Sequence, residues 1–336
     1  MGGSWFLGRA LVTAAAEAGH EVTVFNRGRS GPAPDGAVAV HGDRGSTDDL
    51  ARLAAQGPFD AVLDSSGQVP NVVLASARAL SGAAHYVFVS SVSAYAGWPV
   101  EPLTEESEVL QCPADADGDF GADDPRGYPT QYGYLKAGCE RAVTEIFGER
   151  TTLLRPGVIL GPHEYVGRLP WWLRRVRTGG RVLAPGHPEQ SIQVIDVRDV
   201  AAFAVHAAER GIGGAFNIAA PPVATFGSML EACREVTGSD AEFVWVDDEV
   251  LAAQGVRQWT ELPLWRTFPG TWRLSTERAL AAGLNCRPIG RTVAETWAWL
   301  ESGQATIAHE RAGELGIDPV KEQRVISAWL SQARRS

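Results

Sequence analysis

Tyr132 and Lys136 lie four residues apart in the stretch Tyr-Gly-Tyr-Leu-Lys. That spacing puts both side chains on one face of a helix. An ammonium beside a phenol favours the phenolate, and a tyrosine tuned in this way can pass a proton to or from an alcohol or ketone oxygen. Upstream, Ser90-Ser91-Val92-Ser93 closes the β-branched and aromatic run HYVFVSS, so a strand-end hydroxyl could hold that same oxygen. Tyr-x-x-x-Lys pairs are common by chance and most are surface pairs. The pair gains weight from the serine-rich strand end and from a glycine turn at the start of the chain.

That turn, Gly2-Gly3-Ser4-Trp5-Phe6-Leu7-Gly8, runs straight into the helical pattern GRALVTAAAEAGH. Backbone N–H groups at a helix N-terminus face a phosphate, and the helix dipole favours its charge. Taken alone, the motif reads equally well as a simple turn before a helix. The run EVTVFNR follows at the distance of a βαβ unit, which favours a dinucleotide site. Trp5 stands where a second glycine would let the backbone approach a pyrophosphate. No strand pattern precedes Gly2, although in a doubly wound sheet that strand is central. The chain is therefore read as starting late, and a gap or an unusual partner is expected in the sheet. At the next strand end, Asn26, Arg27 and Arg29 suit a 2′-phosphate, because guanidinium pairs with phosphate in bidentate geometry. A solvated basic turn is the alternative. Asp43 either accepts from an adenine amino group or begins a helix.

The elements that must position these residues alternate. GRALVTAAAEAGH, STDDLARLAAQ and VPNVVLASARALSG read as helices; EVTVFNR, AVAVHGD, DAVLD and HYVFVSS read as strands. This alternation predicts an α/β fold, a Rossmann-like doubly wound parallel sheet. The apolar runs are nearly continuous, as in strands covered on both faces. Residues 21–27, 60–64 and 85–91 are expected as parallel neighbours in one sheet region. Residues 94–129 form an acidic excursion rich in Pro, Gly and Asp, and a loop of that length is usually functional or mobile. A helix is expected over 130–147, then the strand TTLLRPGVIL. The pattern predicts a dinucleotide-binding domain over 1–160 and a smaller substrate lobe over 161–336, with segments near 190–220 returning to the first domain.

The chain has 336 residues, 45% hydrophobic and 21% charged, the balance of a globular protein rather than a coiled coil, a collagen or a disordered chain. The formal charge of −10 carries no basic nucleic-acid footprint, so no nucleic-acid partner is expected. No apolar run reaches the roughly 18–20 residues of a membrane span. The N-terminus lacks the basic region and cleavage site of a signal peptide. Cys112, Cys139, Cys233 and Cys286 form no CxxC pair, so reduced thiols, a cytoplasmic location and no metal site are expected. Trp171 and Trp172 are adjacent and cannot both face one core from a helix; one either lines a pocket or packs at a domain junction.

The order GGSWFLGR, VFNRGRS, FVSSVSAY, YGYLK and LLRPGVILGP resembles the extended short-chain dehydrogenase/reductase family. IQVIDVRDVAAF and GAFNIAA extend the resemblance into the C-terminal half. The resemblance implies NADP (or NAD) as cofactor, with Ser91 (or, failing it, Ser93), Tyr132 and Lys136 as the catalytic set. It places Gly2, Gly3, Phe6, Leu7 and Gly8 around the pyrophosphate, Asn26, Arg27, Arg29 and Asp43 about the adenosine, and Ser65 beneath the cofactor. Pro156 begins the loop beside the nicotinamide, Lys136 also binds its ribose, and Tyr134 packs. Sugar 4,6-dehydratases of the family carry an Asp-Glu pair after the strand-end hydroxyl; Val92 and Ser93 stand there, which argues against that reaction. A reductase or epimerase acting on a sugar-nucleotide-like or secondary-metabolite substrate is implied, with a homodimer as one expected assembly. The alternative is an impaired binding or regulatory protein.

Overall fold

The computed structural model describes residues 1–29, 31–125, 127–304 and 310–333. The chain opens with helix α1 (Phe6–Glu17) and strands β1 (Val22–Asn26) and β2 (Ala37–His41). There follow α2 (Thr47–Ala54), β3 (Ala61–Asp64), α3 (Pro70–Ala79), β4 (His85–Val89), α4 (Gln131–Phe147), β5 (Thr151–Pro156) and β6 (Val158–Leu160). The remainder holds α5 (Arg168–Arg177), β7 (Arg181–Pro185), β8 (Val194–Asp196), α6 (Val197–Arg210), β9 (Gly214–Ile218), α7 (Phe226–Thr237) and β10 (Glu242–Val246). It ends with α8 (Asp248–Ala253), α9 (Glu277–Ala281), α10 (Ile289–Glu301) and α11 (Pro319–Ala333). Among the described residues, no helix is long and apolar enough to cross a membrane.

Two compact units form. The first comprises Met1–Ile159, Val197–Ala220 and Pro269–Cys286; the second comprises Leu160–Asp196, Pro221–Phe268 and Arg287–Ser336. The segment returning to the first unit spans Val197–Ala220. A further return at 269–286 has no counterpart in the sequence pattern. Leu274 of that segment pairs with Leu103, and Ser275 N–H donates to Leu103 O at 2.8 Å.

In the first unit, β3, β4, β5 and β9 form one parallel sheet in that order. Strands β1 and β2 pair in parallel as a separate ribbon. Residues 21–27 therefore do not share a sheet with 60–64, against the expectation of one sheet region, while 60–64 and 85–91 do pair, Ala61 opposite His85 through Asp64 opposite Phe88. Between β1 and β3 lies a slot, bridged at one end by Met1 and Gly2: Gly2 N–H donates to Phe25 O at 3.0 Å and the Met1 amino group donates to Leu63 O at 2.9 Å. On one face of the strands, Leu50 and Leu53 of α2, Val73, Leu74 and Ala77 of α3, and Val143 and Phe147 of α4 pack with Phe25, Val62 and Phe88. Helices α1 and α6 pack against each other. The expected strand TTLLRPGVIL breaks into β5 and β6 at Gly157, whose N–H is taken by Ile218 O at 3.1 Å.

In the second unit β7 and β10 pair in parallel. Trp172 is fully buried, packs edge-on to Phe226 at 5.5 Å and donates from its indole N–H to Pro263 O at 2.7 Å. Packing, not pocket lining, is its role.

Candidate active site

Helix α4 starts where Thr130 caps it, the threonine Oγ1 accepting from Gly133 N–H at 3.3 Å. Tyr132 thereby sits in the first turn with its side chain 48% exposed. One turn later Lys136 is buried. Its ammonium donates to Gly67 O at 2.7 Å and to Val89 O at 2.9 Å, so it is held at the carboxyl ends of β3 and β4. An ammonium has three donors; these two carbonyls leave one. Lys136 Nζ also lies 5.9 Å from the centre of the Tyr132 ring. Carboxyl ends of parallel strands are where open α/β sheets bind ligands.

The serine-rich segment ends β4 and enters a 3-10 turn, Val92–Ala94. Ser91 Oγ accepts from Ser93 N–H at 3.1 Å and is partly exposed. Gly133 presses on this turn: a Cβ there would collide with the Ser93 carbonyl oxygen. The glycine between the two tyrosines is thus what lets the first turn of α4 approach the serine turn. Tyr134 packs edge-on to Phe120 at 6.4 Å.

The glycine turn fits a dinucleotide pyrophosphate. Gly2 and Gly3 have φ of +90° and +105°, conformations that L side chains rarely adopt. A Cβ on Gly8 would lie 2.7 Å from Gly3 N, so only glycine lets the helix come this close to the loop. No side chain caps α1 and no acid stands in its first turn, which leaves the helix end suited to an anion. Trp5 is the N-cap with ordinary extended backbone, φ −125°, so its position does not demand glycine. Phe6 and Leu7 have buried side chains and can offer only backbone to this cradle.

Asn26 ties β1 to the turn: its side-chain amide donates to Gly2 O at 3.2 Å and its carbonyl accepts from Gly28 N–H at 2.8 Å. Arg27 and Arg29 are exposed. Asp43 accepts from Gly45 N–H at 2.8 Å, which is the helix-initiating turn anticipated as its alternative role. Ser65 N–H and hydroxyl both donate to Met1 O at 3.3 Å, and Pro156 ends β5 in a buried position.

Two charged clusters escaped the sequence pattern. Arg44 donates to both carboxylate oxygens of buried Asp64, at 3.1 and 2.8 Å, and Tyr86 hydroxyl adds a third donor at 2.9 Å. Burial opposes the Asp64 charge, yet the Arg44 guanidinium and its hydrogen bonds hold the carboxyl well below the usual range. The second cluster joins Arg155 of β5 to Glu140 of α4 and to the Tyr95 hydroxyl. Tyr95 donates in turn to Asn217 Oδ1 at 2.8 Å. An arginine inside the otherwise apolar strand LLRPG was the available signal.

The chain is similar to several known proteins. The chain is 27% identical over 255 residues to the Arabidopsis thaliana chloroplast stem-loop binding protein of 41 kDa b, covering 71% of this chain and 62% of that one. It is 24% identical over 283 residues to a Corynebacterium glutamicum UDP-glucose 4-epimerase, covering 70% and 79%. Among solved structures, the Thermotoga maritima UDP-glucose 4-epimerase with UDP-glucose aligns over 90% of this chain and 98% of its own, with a TM-score of 0.65 at 18% identity. The Bordetella bronchiseptica enzyme WbmG in complex with NAD and UDP aligns over 92% and 96%, with a TM-score of 0.67 at 17% identity. A family model described as the NAD dependent epimerase/dehydratase family matches residues 1–219. The chain belongs to that family, within the extended short-chain dehydrogenases/reductases.

Proposed function

We propose that this protein is an NAD(P)-dependent reductase or epimerase that exchanges hydride with a hydroxyl or ketone carbon of a sugar-nucleotide-like substrate. The observation that carries this reading is the placement of Lys136. Its ammonium is fixed by the Gly67 and Val89 carbonyls at two strand ends, with the Tyr132 ring 5.9 Å away and the serine turn pressed against the same helix turn. The bound nicotinamide would supply or accept the hydride.

In this reading Tyr132 gives a proton to the substrate oxygen, or takes one from it, as the carbon is reduced or oxidised. Its exposure lets it reach a substrate without rearrangement of α4. Ser91 donates a hydrogen bond to the same oxygen. The free donor of Lys136 serves the phenol and the nicotinamide ribose. Gly2, Gly3 and Gly8, with the backbone of Phe6 and Leu7, cradle the pyrophosphate. Arg27 and Arg29 take the 2′-phosphate of NADP, Asp43 lies near the adenine, and Ser65 and Pro156 flank the cofactor. The small substrate is the only partner this reading requires, with Trp171 at the edge of its lobe.

Cofactor fluorescence and product analysis test it. NADPH or NADH should quench protein fluorescence on binding. Nucleotide sugars or their keto forms should then be epimerised, seen by NMR, or reduced, seen as loss of absorbance at the nicotinamide band. A chain that binds neither cofactor sinks the proposal. A second reading rests on the Arabidopsis relative, named as a stem-loop binding protein. The charge of −10 opposes it, because phosphate-backbone binding draws on clustered cations.

A further inference from the structure

Two backbone carbonyls hold Lys136, and they are not equally secure. Val89 ends β4 and is fixed by its pairing with Leu154 in the sheet. Gly67 lies outside any strand or helix, in the connection 65–69 between β3 and α3. A carbonyl in a connection points only as steadily as the connection is held. Here a buried charged cluster holds it.

Arg44, three residues past β2, reaches across to that connection. Its Nη1 donates to Asp64 Oδ1 at 3.1 Å and to Ser66 Oγ at 3.2 Å. Its Nη2 donates to Asp64 Oδ2 at 2.8 Å and to Ser76 Oγ of α3 at 3.2 Å. One guanidinium thus ties the end of β3, the connection and α3 together. Asp64 Oδ1 in turn accepts from Ser66 N–H at 3.0 Å, which closes a turn just ahead of Gly67. The Tyr86 hydroxyl seats the other carboxylate oxygen at 2.9 Å. Packing completes the alignment: a Cβ on Gly67 would stand 2.5 Å from Phe88 Cε2, and the centre of that ring lies 5.0 Å from Lys136 Nζ. A buried ion pair can often be exchanged for apolar residues of similar volume without loss of stability. An apolar residue at position 64 could not accept the Ser66 N–H. What the cluster supplies beyond stability is direction.

We infer that Arg44 is a positioning residue for Lys136, which on the reading given above serves the phenol and the nicotinamide ribose. It acts through the Asp64 carboxylate and the turn at Ser66, which together aim the Gly67 carbonyl at the lysine ammonium. Without the brace that carbonyl swings away, and the ammonium keeps one fixed acceptor instead of two.

The chain has two lysines, Lys136 and Lys321, so labelling lysine with 15N at the ε position gives two ammonium signals by NMR. Lys321 donates to Gly255 O and Glu261 Oε2, both at 2.7 Å, and serves as the internal reference. In Arg44→Met, proton exchange at the Lys136 ammonium should quicken at least about tenfold, with Lys321 unchanged within about twofold. The triple variant Arg44→Met, Asp64→Leu, Tyr86→Phe removes both buried charges and the hydroxyl together. It should keep Tm within about 3 °C of the parent and still show the fast exchange at Lys136. Where Arg44→Met fails to fold, the triple variant decides alone. Parental exchange at Lys136 in the folded triple variant overturns the assignment, and so does equal acceleration at both lysines. NADPH and NADH titrations, read by protein fluorescence, keep the two readings apart. An unaltered chain that binds neither cofactor, while Lys136 exchange responds to Arg44 as expected, sinks the dinucleotide function and upholds the brace.

Discussion

Arg155 meets Glu140 edge to edge: guanidinium Nε lies 2.8 Å from one carboxylate oxygen and Nη2 lies 2.6 Å from the other. Both groups are buried, and Glu140 stands one turn beyond Lys136 on α4. Arg155 immediately precedes Pro156 at the end of β5. The pair therefore clamps the helix that carries Tyr132 and Lys136 to the strand beside it. Breaking a buried pair by removing one partner costs about 3–5 kcal/mol, because the other charge is left uncompensated. Glu140→Gln should lose stability of that order in urea unfolding. Joint replacement by Leu and Met should cost much less, and an equal loss would mean the pair is not coupled.

Tyr132→Phe tests the chemistry alone. The side chain is 48% exposed, so the loss of one oxygen should leave stability within about 0.5 kcal/mol. Turnover on a verified substrate should fall about 10²- to 10⁴-fold with cofactor affinity nearly kept. Ser91→Ala should be milder, since water can replace one donor.

Lys136→Met should behave differently from both. It strips the donor from the carbonyls of Gly67 and Val89, and an unsatisfied buried acceptor costs about 1–3 kcal/mol. Turnover, cofactor affinity and Tm should therefore drop together. A variant with normal Tm would show that water reaches those carbonyls.

Gly133→Ala should damage the site without touching a polar group. Its new methyl would collide with the Ser93 carbonyl oxygen, so the serine turn and the first turn of α4 must part. Turnover should fall with little change in cofactor binding, whereas Gly82→Ala, in open space with ordinary backbone, should leave turnover intact.

Acid should weaken the fold in two windows. His85 is buried, its ring Nε2 2.6 Å from Thr152 Oγ1, and burial holds its pKa below the ordinary value. The hydroxyl of Thr152 donates to Ile212 O at 2.6 Å, which makes the ring nitrogen the donor in that contact. As pH falls through the usual histidine range, near 6.5, the unfolded chain takes up a proton that folded His85 refuses, so stability declines. Asp64 is lowered instead, so its contribution is complete above the ordinary carboxylate range and is lost only as pH falls below it. Urea unfolding from pH 8 to 5 should show the first decline, and His85→Gln should flatten it. An unchanged slope in the variant would assign the decline elsewhere.

Arg27→Ala with Arg29→Ala should weaken NADPH far more than NADH, since only NADPH carries the 2′-phosphate. Equal losses for both cofactors would place these exposed arginines outside the adenosine site.

The alternation of strands and helices was readable because each element carries its own period, and Ser46 and Thr130 mark helix starts by their capping chemistry. The Tyr132–Lys136 pair was readable because its spacing is local. What holds Lys136 was not: its carbonyl partners lie 69 and 47 residues away, and backbone acceptors leave no residue-type signature. The split between β1 and β3 was foreshadowed by the lack of strand pattern before Gly2, but the bridge through Met1 and Gly2 depends on tertiary placement. The segment 269–286 joined the first unit unannounced because its tie to Leu103 is a backbone bridge without a motif.

The threading of the first unit also sets an order of events at the ribosome. Strand β9 borders β5, and α6 covers α1, yet both arrive only with residues 197–218, and the tie to Leu103 waits for residue 274. During synthesis at about 5–20 residues per second, the half-made sheet therefore waits roughly three to twelve seconds with the β5 edge uncovered, while the first part of the second unit emerges. A nascent chain stalled near residue 190 should accordingly be cut readily by protease at β5, whereas one released past residue 286 should resist.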